Sequence, residues 1–278
     1  MDASADLRFG VATAAQLLRL GWSRTDLARA AKAGMVTVLR RGWLARDGAH
    51  PEVVAAVSAG GCVACASALR LHGAWVPERL TTRPHVRWSR DLAPPDAPGC
   101  RPFGRPTGVR TAVDGPDIAF GCLLRCASDE EIVVIADSLV HLRIATIDEL
   151  RAWARDAPRR VQALVDRVDA AESGLESIVR LRMRALRVRV RTQVWIGSHR
   201  VDMVLGELLV IECDGAEHHG DWRAHAADRA RDRALVAAGY VVVRLTYAQI
   251  VHGWDAVEQD LLAILRRGAH RAPRRFRT

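Results

Sequence analysis

The stretch from Val201 to His219 limits what this chain can fold into more than any other. Val201-Asp202-Met203-Val204-Leu205 is followed by Gly206, then by Leu208-Leu209-Val210-Ile211-Glu212-Cys213-Asp214-Gly215 and His218-His219. Side chains of a strand alternate between two faces. A three-residue hairpin at Leu205 to Glu207, with Gly206 at its tip, would make Asp202 and Glu212 diagonal neighbours on one face. Their Cβ atoms would lie roughly 7 Å apart, within reach of one bridging ion. Asp214 shares that face, while Val201, Met203, Leu209 and Ile211 line the other and supply the core. A buried carboxylate costs several kcal/mol unless it is paired, and three together call for a cation. The pattern implies a site for Mg²⁺, or Mn²⁺, of the kind that cuts phosphodiesters.

The acids stand in a longer order. Glu172 and Glu176 come first on a helix, then Gln193, Asp202, Glu212-x-Asp214-Gly215, His218-His219, Asp228-x-x-x-Asp232, Gly239 and Val241-Val242-Val243-Arg244. Over about residues 172 to 265 this resembles the PD-(D/E)xK nuclease superfamily, in the branch similar to very short patch repair endonucleases. The resemblance implies a mixed sheet flanked by helices, with Asp202 and Glu212 as metal ligands, Glu176 as an accessory acid and His218 as general base. The superfamily's usual lysine two residues after the second acid is Asp214 here, and the only lysine of the chain is Lys32. The expected catalytic set is therefore Glu176, Asp202, Glu212, Asp214 and His218. An ordinary histidine pKa of about 6.5 suits His218 to proton transfer near neutrality.

The helix carrying Glu176 begins near Ser173, and Val179, Met183 and Leu186 give it an apolar face. Arg180, Arg184, Arg187 and Arg191 form an adjacent stripe. Glu176 sits at the border, where it can reach a metal or pair with Arg180 one turn on.

Hydrophobic residues make up 49% of the 278 positions, so the chain can build real cores. The formal net charge of +9 favours a polyanionic partner, and DNA is the partner expected. No apolar run approaches the roughly 20 residues of a membrane span, and the opening Met-Asp-Ala-Ser-Ala-Asp is acidic where a leader would be basic. A cytoplasmic location away from membranes is expected, with no small-molecule cofactor.

At the amino-terminal end Thr13 can cap one helix and Ser23 a second, which runs through Ala33 and stops at Gly34. Met35 to Arg46 then alternates and turns as a two-stranded wing. Helix, turn, helix and wing describe a winged helix-turn-helix. It would present Arg24, Arg29 and Lys32 on its second helix, and Arg40 and Arg41 at the wing tip, to DNA phosphates. This segment, about residues 8 to 48, resembles the winged-helix start of AbiEi-type antitoxin proteins, and Ser67-Ala68-Leu69-Arg70-Leu71-His72-Gly73 continues the likeness.

Between the two ends, Pro51 to Gly73 reads as two helices around Gly60-Gly61, and His85 to Trp88 as a strand. Strands are expected near Val109 to Val113 and Ile118 to Leu123, then helices capped by Ser128 and Thr146, with a break at Pro158. Cys62-x-x-Cys65 and Cys122-x-x-x-Cys126 could be drawn as a four-thiolate zinc site. Their apolar neighbours Val63, Ala64, Ala66 and Ala68 instead favour small buried hydrophobes, with Cys100 and Cys213 unpaired.

The expected architecture is α/β (α+β): a winged helix at 1–50, an α/β connecting domain at 51–158, a restriction-endonuclease-like mixed-sheet domain at 159–266 and a disordered basic tail at 267–278. Arg244, alone in a Val-rich strand, is expected either to pair with a carboxylate of the site or to contact a phosphate. The resulting expectation is a metal-dependent DNA endonuclease with an amino-terminal reader. The alternative is a noncatalytic DNA-binding regulator of antitoxin type.

Overall fold

The structure is a computed structural model that describes residues 8–89, 92–93, 98–104, 108–169, 171–214 and 231–272. The chain folds as two compact units, Met1–Arg167 and Val168–Thr278.

The first unit opens with strand β1 (Val11–Thr13), helices α1 (Ala14–Arg19) and α2 (Arg24–Lys32), and strands β2 (Val36–Arg40) and β3 (Trp43–Arg46). Thr13 and Ser23 cap the two helices through reciprocal bonds with Gln16 and Asp26, each cap contributing about 1 kcal/mol. The sheet order is β1-β3-β2, so the expected hairpin gains an edge strand from the residues just before the first helix. Leu27, Ala30, Trp43 and Leu44 are buried in this part.

Helix α3 (Pro51–Ser58), strand β4 (Gly61–Val63), helix α4 (Cys65–Leu71) and strand β5 (Val86–Trp88) follow. The two expected helices form around Gly60-Gly61, and the residues between them pair with β5. The strand expected at Ile118 to Leu123 is instead part of helix α5 (Pro116–Cys126): Ala119 through Leu124 are all buried, so a continuous apolar run marks a helix enclosed on every side. Of the strand expected at Val109 to Val113, only a bridge between Val63 and Val113 forms. Helices α6 (Asp129–His141) and α7 (Ile147–Ala154) carry the expected Ser128 and Thr146 caps, and α8 (Arg159–Val165) starts after Pro158. Arg87 donates through Nε to Asp114 at 2.8 Å and through Nη2 at 2.5 Å, and both side chains are buried. This ion pair ties β5 to the backbone leading into α5.

In the second unit, helix α9 (Gly174–Ala185) precedes strands β6 (Val190–Ile196), β7 (His199–Leu205) and β8 (Leu209–Asp214), a helical stretch through residues 231–237, strand β9 (Val241–Thr246), and helices α10 (Tyr247–Val251) and α11 (Trp254–Arg266). The sheet order is β6-β7-β8-β9, antiparallel until β8 and β9 pair in parallel. This mixed sheet with flanking helices is the restriction-endonuclease-like arrangement.

One expectation about the core changes. Val201, Met203, Leu209 and Ile211 are buried as expected, but Val204, Leu205 and Val210 are buried too. Strand β8, central and with a parallel neighbour, is covered on both sides, and Leu235 packs with Val201, Val204 and Val210. Arg180, read as part of the stripe beside the apolar face, is also fully buried.

The basic tail is ordered for longer than expected. Gly206 lies at φ +64°, and a side chain there would collide with His270. The His270 carbonyl accepts from the backbone N–H of Glu207 at 2.8 Å and of Leu208 at 3.1 Å, and Ala272 donates to the Glu207 carboxylate at 2.6 Å. The hairpin loop therefore holds the chain through residue 272.

Candidate active site

Strands β7 and β8 bring the two principal acids together. Leu205 pairs with Leu209, Val204 with Val210 and Met203 with Ile211. Continued one step, this register sets Asp202 directly opposite Glu212. The expected diagonal offset is corrected, because the hairpin loop is Gly206 to Leu208 rather than Leu205 to Glu207. Moving the loop by one residue shifts the opposing index by two, so the acids still share a face.

Asp202 accepts a hydrogen bond from the backbone N–H of Cys213 at 2.8 Å. Burial raises its pKa, against that N–H and the positive charge of Arg231. Glu212 is 6% exposed, and burial together with the charge of Asp202 pushes its pKa up to about 7. The two facing carboxylates thus resist carrying a full negative charge each.

Glu176 lies in the first turn of α9, which Ser173 caps, and it is buried. Its carboxylate accepts from the Glu172 backbone N–H at 3.1 Å and from Gln193 Nε2 at 2.6 Å. Burial raises its pKa, and the charge of Asp202 adds to the rise. Gln193 has φ +52°, in the left-handed region, a conformation that costs a non-glycine residue about 1–3 kcal/mol. The pairs Thr192–Met203 and Val194–Val201 bracket it, so it stands across from Asp202 on β6. This strained turn of the strand carries the amide that links β6 to Glu176.

Arg231 was not legible as a site residue. Its Nη2 donates to Glu212 Oε1 at 2.6 Å and also to the Arg200 carbonyl. The signal is its spacing from Leu235: four residues apart on a helix they share a face, and Leu235 packs onto the sheet beside Val204 and Val210. Arg244, neighbour of Glu212 in the β8–β9 register, donates to Asp232 at 2.9 Å and lies 3.9 Å from Asp214. Asp232 therefore turns to the sheet. Asp214 is exposed at the strand end. His218, the expected general base, lies outside the described residues, as do His219 and Asp228.

Among the described residues, no three carboxylates place oxygens within 4.8 Å of one another. The candidate metal centre is thus a pair, Asp202 and Glu212, with Glu176 engaged by Gln193. Two facing carboxylates with raised pKa values supply hard oxygen donors, and among the described residues only Glu212 of the two meets a guanidinium directly, which fits a divalent ion of the Mg²⁺ class.

In the first unit, Arg24, Arg29, Lys32 and Arg41 are exposed. Arg29 pairs with Asp26 at 3.3 Å. Arg40 is half-buried and stacks 4.9 Å over the Trp43 ring, so it is less available to a phosphate than the spacing suggested.

Residues 175–265 match the family model REase_MTES_1575, a restriction-endonuclease-like family. No curated protein matches the chain. Among solved structures, the homing endonuclease I-Bth0305I catalytic domain is similar at 20% identity and a TM-score of 0.29, over 32% of this chain and 89% of that one. Asp202 and Glu212 lie within the matched segment, whose mixed sheet and helices are consistent with a restriction-endonuclease-like fold.

Proposed function

We propose that the protein is a metal-dependent DNA endonuclease. The observation that carries this reading is the β7–β8 register, which continued one step beyond Met203–Ile211 sets Asp202 opposite Glu212, within the segment that matches a restriction-endonuclease-like family. Asp202 and Glu212 would hold Mg²⁺ or Mn²⁺, which when bound supplies Lewis-acid stabilisation of charge on a phosphodiester. The Cys213 N–H orients Asp202, and Arg231 holds Glu212 in its rotamer. Glu176, fixed by Gln193, stands as the accessory acid. His218 would orient or deprotonate the attacking water, and Asp214 occupies the place of the superfamily's lysine. The charge excess and the exposed Arg24, Arg29, Lys32 and Arg41 support an amino-terminal winged-helix reader of duplex DNA. Arg244 would act from β9, bracing Asp232 and Asp214 or meeting a phosphate.

The test is cleavage of supercoiled plasmid by purified protein with Mg²⁺, beside the Asp202→Asn variant. Nicking or linearisation that disappears in the variant supports the reading. Cleavage that survives the substitution removes the proposed mechanism.

One observation favours a second reading. Arg231 already donates to Glu212, and residues 168–278 contain no lysine. A noncatalytic DNA-binding regulator of AbiEi antitoxin type would show metal-independent binding to one operator and no cleavage of any substrate.

A further inference from the structure

We propose that the first unit contains a structural zinc site formed by Cys65, His85, Cys100 and Cys126. One ligand atom from each of these side chains lies within 4.8 Å of all the others. This corrects the cysteine pattern expected from sequence: Cys62 and Cys122 are buried outside the cluster, while Cys100, expected to be alone, joins it.

The spacing suits a tetrahedral ion. With Zn–S near 2.3 Å and Zn–N near 2.0–2.1 Å, the edges of a tetrahedron are about 3.8 Å between sulfurs and about 3.6 Å between sulfur and nitrogen. Cys126 Sγ lies 3.9 Å from Cys100 Sγ, and Cys100 Sγ lies 3.5 Å from His85 Nδ1. A disulfide needs about 2.05 Å between sulfurs and would leave a third thiol and an imidazole behind in the same pocket. Four protein ligands with no open position describe a structural rather than a catalytic site.

The scaffold places each ligand from a different element. Cys65 opens α4 at φ +51°, a left-handed conformation that costs about 1–3 kcal/mol in a non-glycine residue. His85 precedes β5, where its carbonyl accepts from Ala64 N at 2.8 Å and its N–H donates to Ser67 Oγ at 3.1 Å. Cys100 is tied to the same strand by its N–H on the Val86 carbonyl at 2.8 Å. Cys126 ends α5. Cys65 and His85 are buried, and Cys100 and Cys126 are partly so. Soft Cys and His donors here and hard carboxylates at the candidate active site assign different metals to the two units.

The test uses the full-length protein, purified without metal-affinity capture and dialysed against EDTA. Elemental analysis is expected to find about one zinc per chain, released only on titration with an organomercurial. Cobalt loaded after that release is expected to show the intense visible bands of a tetrahedral ion and thiolate-to-cobalt charge transfer. Cys100→Ser and Cys126→Ser should lose the zinc, whereas Cys122→Ser and Asp202→Asn should keep it. If the two cluster variants do not fold, the wild-type zinc content and cobalt spectrum decide alone. A zinc-free wild type with no tetrahedral cobalt spectrum would overturn the proposal. So would zinc retained in both folded cluster variants, or a Cys100–Cys126 disulfide in metal-free protein.

Discussion

Arg231 reaches from the helix over the sheet to place Nη2 2.6 Å from Glu212 Oε1, on a carboxylate that burial and Asp202 push up to about pKa 7. One guanidinium thus meets one of two facing acids, and the pair keeps a demand for further positive charge. The predictions below follow from that imbalance and from the groups around it.

Removing either facing acid should remove the metal together with the activity. Asp202→Asn and Glu212→Gln are expected to lower Mg²⁺-dependent plasmid cleavage by more than the roughly 10–100-fold typical of outer-shell changes. Calorimetric titration with Mn²⁺ should show the binding lost in the same variants.

The metal-free protein should lose stability as pH rises from about 4.5 to above 7. Glu212 has a folded-state pKa raised above its ordinary value, so its contribution is complete below the unfolded value and is lost as pH climbs through the folded one. A rise from 4.5 to about 7 corresponds to up to about 3 kcal/mol, acting jointly with Asp202. Thermal melts in EDTA across this window should slope downward, and Glu212→Gln should flatten them. Added Mg²⁺ should stabilise more at pH 8 than at pH 6, since it binds the ionised pair.

Arg231→Ala should weaken the second unit, because it strips a charged donor from a buried acceptor. A loss of about 1.5–3 kcal/mol is expected in urea melts of the metal-free protein. Part of it should return with Mg²⁺, and no return would show that Arg231 and a cation do not answer the same charge.

Asp114→Ala should be among the most damaging changes in the first unit. It leaves the Arg87 guanidinium buried without its carboxylate, at a cost of about 3–5 kcal/mol. Urea denaturation should show the lowered midpoint, and Asp129→Ala, which breaks the exposed pair with Arg160, should change it by about 1 kcal/mol or less.

Duplex DNA binding should weaken with salt, and the slope of log affinity against log salt should fall by about 0.9 for each phosphate contact removed. Arg24→Ala, Lys32→Ala and Arg41→Ala are expected to flatten it singly. Arg40→Ala should act more through lost packing on Trp43 than through the slope. Fluorescence anisotropy over a salt series measures both.

Much of the local structure was legible because its causes are local. Thr13, Ser23, Ser128, Thr146 and Ser173 each announce a helix by being followed three residues later by the group whose N–H they cap. The alternation around Asp202 and Glu212 put both acids on one face, and a loop assigned one residue too early did not change that, because a shift of the opposing index by two preserves the face. Ile118 to Leu123 misled because an unbroken apolar run has no period and suits a buried helix as well as a strand.

What this sequence determined by itself was the helix caps at Thr13, Ser23, Ser128, Thr146 and Ser173 and the shared face of its two acids, since each depends on spacing along a few residues, whereas the mixed sheet was implied only by the nuclease resemblance. Only the tertiary structure decided that Arg231 answers Glu212, that Gln193 grips Glu176, and that Cys65, His85, Cys100 and Cys126 meet. Those partners lie far apart along the chain, and no local periodicity records which distant side chains the packing of helices and strands will bring within a few ångströms.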